Sequence, residues 1–263
     1  MQNIITHFNN YFEIVPATTR EHLQECHKLR YQTFCVEKHY FIENEYKNSS
    51  EIDEYDTRSA HSLILHKDSG LYAASVRLVL PSFNRVSEIF PIESHLTQSC
   101  RHEYAKLVNA PREHVAEISR LLISKHFRQR TGESSTIHGI GNDFGMMSSR
   151  QKRQFAAQIS LGLFKAIILM SEKHEISYWL ALMEPQLIRL LARIGIHFKH
   201  LSKHIKYCGD RHVCFENGRE VLLGIHRQRP DIWAFITDEG KHSLKAHTSP
   251  PLVNIKETAL LSE

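Results

Sequence analysis

Residues 115–123 (Val-Ala-Glu-Ile-Ser-Arg-Leu-Leu-Ile) set a carboxylate, a hydroxyl and a guanidinium into a run that is otherwise aliphatic and free of Gly and Pro. Such a run predicts a strand covered on both faces and central in its sheet. Strict alternation points Glu117 and Ser119 to one face and Arg120 to the other. A single β-bulge between them would bring Glu117 and Arg120 onto the same face, and bulges cluster beside active sites. Desolvating both charges is costly, so an ion pair here is weak evidence for stability. Two readings stand: a structural pair bracing the sheet, or a functional cluster.

Other charges on apolar elements favour the cluster. Arg30 and Phe34 lie four apart in a predicted helix over 20–35 and share a face, which therefore ends at a cleft. Arg77 interrupts an apolar strand predicted over 71–80. The acidic run 51–56 (Glu-Ile-Asp-Glu-Tyr-Asp), with Asp53 and Asp56, reads on its own as a solvated loop.

The elements that would position these residues follow from pattern. A short strand is predicted over 11–15, ended by Pro16, with Thr18 or Thr19 capping the helix after it. Strands over 61–66 and 71–80 flank the turn Lys67-Asp68-Ser69-Gly70 and form an antiparallel hairpin. Residues 86–91 read as extended, 92–111 as irregular helix and loop, and 125–153 as a long basic loop. A helix over 155–174 shows apolar positions at helical spacing. A strand over 175–183 follows, then a helix over 186–194 with Pro185 in its first turn and Gly195 at its end. Strands over 197–201 and 205–216 complete the sheet. Asn217 to Glu220 has the form of a capping box for a helix to about residue 228, and 231–237 makes a further helical turn. Hairpins first and a βαβ unit later predict an α/β fold, a mixed sheet with helices on both faces. The expected division is a domain over 1–216 with a basic insertion at 126–154, a helical extension over 217–240, and a flexible tail over 241–263.

Composition narrows the function. With 41% hydrophobic and 24% charged residues among 263, the chain has the make-up of a globular protein. A formal charge of +4 is too small to imply nucleic-acid binding. The five cysteines lack a CxxC and the 19 histidines lack an HExxH, so neither a disulfide framework nor a metal site is expected. Polar residues near the start predict no secretory leader, and the most apolar helix is broken by Gln158 and Lys165, so a cytoplasmic protein without a transmembrane segment is expected.

The motifs Leu29-Arg30-Tyr31-Gln32-x-Phe34, Asp53-Glu54-Tyr55-Asp56, Arg77-Leu78-x-Leu80-Pro81, Phe90-Pro91 and Glu117-x-Ser119-Arg120 resemble, in order and spacing, those of acyl-homoserine-lactone (autoinducer) synthases. N-acyl amino acid synthases and the acyltransferases associated with the PEP-CTERM/exosortase system are similar. The resemblance covers about residues 11–205 and implies the GNAT acyltransferase fold. Two departures stand out: Tyr40 occupies the place of a tryptophan of the autoinducer synthases, and the ending 227–237 resembles the exosortase-associated group.

What the resemblance implies is transfer of a fatty acyl chain from a thioester to a primary amine, that of an amino acid. Glu117 would be the base, with Arg120 and Ser119 in the catalytic set. Arg30, Phe34, Asp53, Asp56, Arg77 and Phe90 would form the acceptor and electrostatic cluster. No tightly bound cofactor is expected, the acyl thioester being a co-substrate. The loop Gln129-Arg130-Thr131-Gly132-Glu133-Ser134 matches only in part the phosphate-gripping loop of enzymes that use CoA. Lys125, Arg128, Arg130, Arg150, Lys152 and Arg153 would instead offer a positive rim to an acidic acyl carrier protein. The rivals are a lactone synthase using S-adenosylmethionine and a non-catalytic carrier- or nucleic-acid-binding module.

Overall fold

The computed structural model describes residues 4–82, 89–127, 149–201 and 203–245, and for 149–153 the backbone only. The strands are β1 (Phe12–Pro16), β2 (Ser59–His66), β3 (Leu71–Val79), β4 (Val115–Ile123), β5 (Tyr178–Met183), β6 (Lys199–His200), β7 (Ile205–Lys206) and β8 (Asp210–Asn217). They form one mixed sheet in the order β1-β2-β3-β4-β5-β8-β6, with β7 on β8. Among the described residues, only β4 and β5 pair in parallel. A parallel neighbour needs a crossover, and the helix α5 (Ser149–Lys173) lies between the two strands in sequence.

Side-chain alternation divides the core into two layers. Ile64, Leu78, Ala116, Trp179 and Cys214 pack against α1 (Ile4–Tyr11), α5, α7 (Gly218–Gln228) and α8 (Pro230–Thr237). On the opposite face, Val79, Val115, Leu180 and Phe215 pack with α3 (Pro91–Ser94) and α4 (Gln98–Leu107). Leu63 and Cys26 join α2 (Arg20–Arg30) to that same face. Counting by twos from Val79 and Val115 puts Arg77, Glu117 and Ser119 on the α2–α3–α4 face. The helix α5 is long and apolar enough by composition to cross a membrane, but Ile159, Leu163 and Ile167 are buried in the core against the sheet.

Several boundaries differ from the sequence reading. Residue 11 ends α1, a helix not foreseen because its polar residues hide one buried contact, Phe8. The helix predicted over 20–35 is α-helical only to Arg30 and continues as a π-helical segment over Tyr31–Glu37. The strand predicted over 205–216 is broken at Cys208 and Gly209, both with positive φ, into β7 and β8. The basic loop predicted over 125–153 gives way to α5 at Ser149.

Gly195, with φ +86, and Gly224 of α7 meet backbone to backbone. A Cβ on Gly224 would lie 2.3 Å from the Gly195 carbonyl oxygen. Gly224→Ala gains about 1 kcal/mol of helix propensity, yet the clash costs roughly 1–3 kcal/mol. Urea denaturation should therefore show a net loss of stability; a stabilised variant would mean that the contact relaxes freely.

Candidate active site

Of the two readings left open, strict alternation and a bulge, the central strand carries the bulge. Ser75 pairs with Leu122 and Arg77 with Ser119, so β4 spends one residue more than β3 between the two pairs. Arg120 takes up the difference with φ +51, a left-handed conformation unfavourable for a residue with a Cβ. The bulge turns Arg120 toward the same group of side chains as Arg77. Pairing of β4 with β5 ends at Ile118–Ala181, while β5 continues along β8. From Ser119 onward the β5-side edge of β4 therefore has no strand partner among the described residues, and Leu121 is exposed there.

Three guanidiniums and three carboxylates close into one network on this face. Arg30, at the end of α2, donates Nε to Glu51 and its two terminal nitrogens to Asp56 at 2.6 and 3.0 Å. Arg77 donates Nη1 to Asp53 at 2.6 Å and to Asp56 at 3.0 Å, and Nε to Ser119 Oγ at 3.0 Å. Arg120 donates Nη2 to Glu51 at 2.9 Å and to Asp53 at 3.0 Å. Arg30 and Glu51 are wholly buried and Arg77 nearly so. Burial would raise the Glu51 carboxyl, but Arg120 and Arg30 outweigh it and hold it low. Asp56 is likewise held well below the usual carboxylate range, Arg30 and Arg77 overcoming its burial.

The acidic run is shaped for this task by its own backbone. Asp53 caps the one-turn 3-10 helix Glu54–Arg58, accepting from the Tyr55 amide at 3.0 Å, while Asp56 accepts from the Asp53 amide at 2.8 Å. This reciprocal cap fixes both carboxylates before they meet an arginine. The run is thus not the solvated loop it reads as on its own, but part of the cluster that the resemblance implies: Glu51 has no exposed surface, and its amide donates to the His27 carbonyl at 3.1 Å.

Glu117 stands beside this network and makes no ion pair in it. Oε2 accepts from the Ile92 amide at 2.8 Å. The expected Glu117–Arg120 pair is therefore corrected, because Arg120 is taken by Glu51 and Asp53. Burial pushes the Glu117 carboxyl up to about 8; the Ile92 amide and the charges of Arg77 and Arg120 only partly offset it. The Phe90-Pro91-Ile92 turn that supplies the amide is itself anchored. Glu93 accepts from the Phe90 amide at 2.6 Å, from Tyr104 at 2.9 Å and from Arg112 at 2.7 and 2.9 Å. Arg112 also lies over the Phe90 ring, 4.6 Å from its centroid.

Behind the network, His61 is buried with no hydrogen-bond partner on either ring nitrogen among the described residues, its Nε2 3.4 Å from Asp56. Burial holds its imidazole down to about 3, against the pull of Asp56. His27, His61 and Asp56 bring ligand atoms within 4.8 Å of one another. The set does not suit a metal ion, since both Asp56 oxygens are already held by guanidiniums that a cation would have to displace.

Of the residues singled out in the sequence, Arg30, Asp53, Asp56, Arg77, Ser119 and Arg120 converge directly. Glu117 lies within reach of the Arg77 and Arg120 charges. Phe34 packs under Arg120, whose Cζ is 5.9 Å from its ring centroid, and Phe90 is buried beside α3. Lys125 is exposed in a 3-10 turn after β4. Arg128 and Arg130, and the side chains of Arg150, Lys152 and Arg153, lie outside the described residues. Missed in the sequence were Glu51, Glu93, Arg112 and His61; the only signal for Glu51 was membership of the acidic run.

Residues 29–138 match the model of the acetyltransferase (GNAT) domain. No curated protein matches the chain. Among solved structures, FeeM, an N-acyl amino acid synthase from uncultured soil microbes, superposes with TM-score 0.50 at 8% identity, covering 81% of this chain and 93% of that one. The CoA-dependent acyl-homoserine lactone synthase BjaI, solved with SAM and isopentyl-CoA, gives TM-score 0.51 at 18% identity, covering 92% and 95%. These likenesses are of fold: a GNAT-like mixed sheet with its helices. The domain match supports an acyltransferase, and the likenesses show a GNAT-like fold.

Two predictions follow from the charges. Glu51→Gln leaves Arg30 buried without its full countercharge and should destabilise the protein by roughly 3–5 kcal/mol. Adding Arg120→Gln should cost less than the sum of the single changes; strict additivity in urea titrations would dissolve the network. Glu117 has the opposite sign. Its folded carboxyl keeps a proton that an unfolded one loses above about pH 4.3, so stability falls as pH rises from there to about 8. Glu117→Gln, which can still accept from Ile92, should raise the melting temperature above about pH 5 and leave it unchanged below about pH 4. A gain that persists in acid would point to packing.

Proposed function

We propose that the protein moves a fatty acyl chain from the thioester of an acyl carrier protein to the primary amine of an amino acid. The observation that carries this reading is Glu117: a buried carboxyl pushed up to about 8, kept apart from the arginine network, beside the open edge of β4. An ammonium acceptor gives a proton to the Glu117 carboxylate, and the free amine attacks the thioester carbonyl. The C–N bond forms and the C–S bond breaks. The second proton, shed by the attacking nitrogen, passes to the departing thiolate directly or through water, and Glu117 releases the first to solvent. Backbone amides of the bulge stand near the developing oxyanion. Arg30, Arg77 and Arg120, held by Glu51, Asp53 and Asp56, keep the acceptor wall in place, with Ser119 fixing the Arg77 guanidinium and Phe34 and Phe90 as its apolar parts.

An acyl carrier protein is favoured by the basic residues of 125–153. The exosortase-associated resemblance and a cytoplasmic location belong to the same reading, which needs no bound cofactor and no nucleic acid. The alternative, a lactone synthase using S-adenosylmethionine with a carrier or CoA donor, has support from the BjaI likeness. Mass spectrometry of the products made from acyl-carrier and acyl-CoA donors separates the two: an N-acyl amino acid is expected, and a lactone would replace this proposal.

Glu117→Gln should lower turnover by roughly 10²–10⁴, the usual worth of a general base. In the wild type, kcat/KM should rise with pH toward about 8 as Glu117 ionises, and this limb should vanish in the variant. Near-normal turnover would place proton transfer elsewhere. Reversing Arg150, Lys152 and Arg153 to Glu should raise KM for the carrier-bound donor with kcat much less affected. Equal or better use of acyl-CoA by the wild type would refute the carrier.

A further inference from the structure

At the far edge of the sheet, strand pairing gathers three histidines. β8 is partnered on its outer side by β7 and then by β6: Ile205 faces Arg211, and His200 faces Cys214. One step back from Ile205 brings His204 opposite His212, and His212 lies two residues from Cys214. The three histidines therefore share one face of β8. Ring positions agree. The His204 and His212 centroids are 4.0 Å apart, and those of His200 and His212 are 4.6 Å apart. Val213 packs on the opposite face, with the layer that holds the arginine network, whereas Cys214 packs with the other layer.

One carbonyl sets the state of two of these rings. Leu201, whose amide donates to the Val213 carbonyl at 3.0 Å, accepts from His200 Nδ1 at 3.0 Å and from His212 Nδ1 at 3.2 Å. A carbonyl oxygen only accepts, so in both rings Nδ1 carries the hydrogen and Nε2 keeps its lone pair. Protonation of the middle ring is also opposed. Burial lowers the His212 imidazole, and charge on His204 or His200 lowers it further, with the Leu201 carbonyl pulling the other way. The lysines of β6 and β7, which would repel a cation, are matched by carboxylates. Lys206 Nζ lies 2.7 Å from Asp210, and Lys199 Nζ lies 3.3 Å from Glu216.

We propose that His200, His204 and His212 form a site for a divalent transition-metal ion of the zinc class, which clips the short strands β6 and β7 to β8. Neutral imidazole nitrogen is a ligand that such ions take readily. A ligating histidine almost always donates its other ring hydrogen to a carbonyl, a carboxylate or water, as His200 and His212 do to Leu201. Three ligands leave a tetrahedral ion one position for water. As the rings stand, their nitrogens do not all lie within 4.8 Å of one another. His204 is exposed, and binding draws its ring inward without moving the core. The spacing H-x3-H-x7-H gives no sign of this in the sequence, because strand pairing and not a helical turn makes these residues neighbours. The site lies apart from Glu117 and stands whether or not the chain transfers acyl groups.

The probe is Zn²⁺ alone, titrated calorimetrically into the chelator-treated full chain at neutral pH. One ion should bind per chain, and Mg²⁺, which takes oxygen ligands, should not compete. Loss even of a ligand's outer hydrogen-bond partner costs about 10–100-fold, so His200→Gln and His204→Gln should each weaken binding by at least roughly tenfold. The melting temperature should rise with Zn²⁺ in the wild type, by mass action, and stay put in the variant carrying both changes. His197→Gln and His226→Gln, at exposed histidines outside the cluster, should bind as the wild type does. His212→Gln should behave like the other two cluster variants; if it fails to fold, the two exposed positions decide. Absence of binding by the wild type, or unchanged affinity in both His200→Gln and His204→Gln, overturns the proposal. So does an equal loss in the His197 and His226 controls, which would mean an adventitious ion only, held by scattered histidines. Loss of binding in Cys208→Ser overturns it too, since Cys208 is the one cysteine not buried and its thiolate would then be the ligand.

Discussion

Three guanidiniums cannot be taken out of water together unless three carboxylates go with them, and this constraint organises the molecule. Arg30 comes from α2, Arg77 from β3 and Arg120 from β4, while Glu51, Asp53 and Asp56 arrive on one loop. No single element satisfies its own charge. The loop therefore docks only when the helix and both strands are in place, and the arginines are tolerable only when the loop has docked. Local features serve the same closure: the capping box presents Asp53 and Asp56, and the bulge supplies the turn that Arg120 needs.

Closure of that network explains why Glu117 is left with a raised carboxyl. Had Arg120 paired with it, the charge would have been held ionised and low. Glu51 and Asp53 occupy Arg120 instead, and one backbone amide is a weaker partner than a guanidinium. A base near neutrality is thus a by-product of satisfying the arginines elsewhere. The site gives up stability at neutral pH to hold a carboxyl that can take and return a proton. The same economy extends outward: the charge of Glu93 helps raise Glu117, and Glu93, Tyr104 and Arg112 fix the turn whose amide touches it.

Much of this was legible in the chain because the signals were local. An apolar run without Gly or Pro marked β4 to its observed limits, and arginines on otherwise apolar elements marked Arg30 and Arg77. Other features depend on tertiary context that the chain does not display. In the run 51–56, Glu51 is buried while its neighbour Ile52 is half exposed, an inversion that no propensity would predict. The bulge was one of two open readings, because periodicity cannot tell whether a strand gains a residue. The Glu117–Arg120 pair was misjudged for the same reason: adjacency in sequence suggested partners, and a loop almost seventy residues earlier had the stronger claim. The π-helical segment after Arg30 likewise has no signature in residue types.

Direct titration of Glu117 decides the account. Carbon-13 resonances of side-chain-labelled glutamate, assigned by comparison with Glu117→Gln, report its ionisation in the folded protein without any assumption about substrate. A midpoint near 8 is the predicted result. A midpoint in the ordinary carboxylate range, about 4 to 5, would mean that Glu117 is a charged structural residue at neutral pH, and the separation of base from network would be wrong.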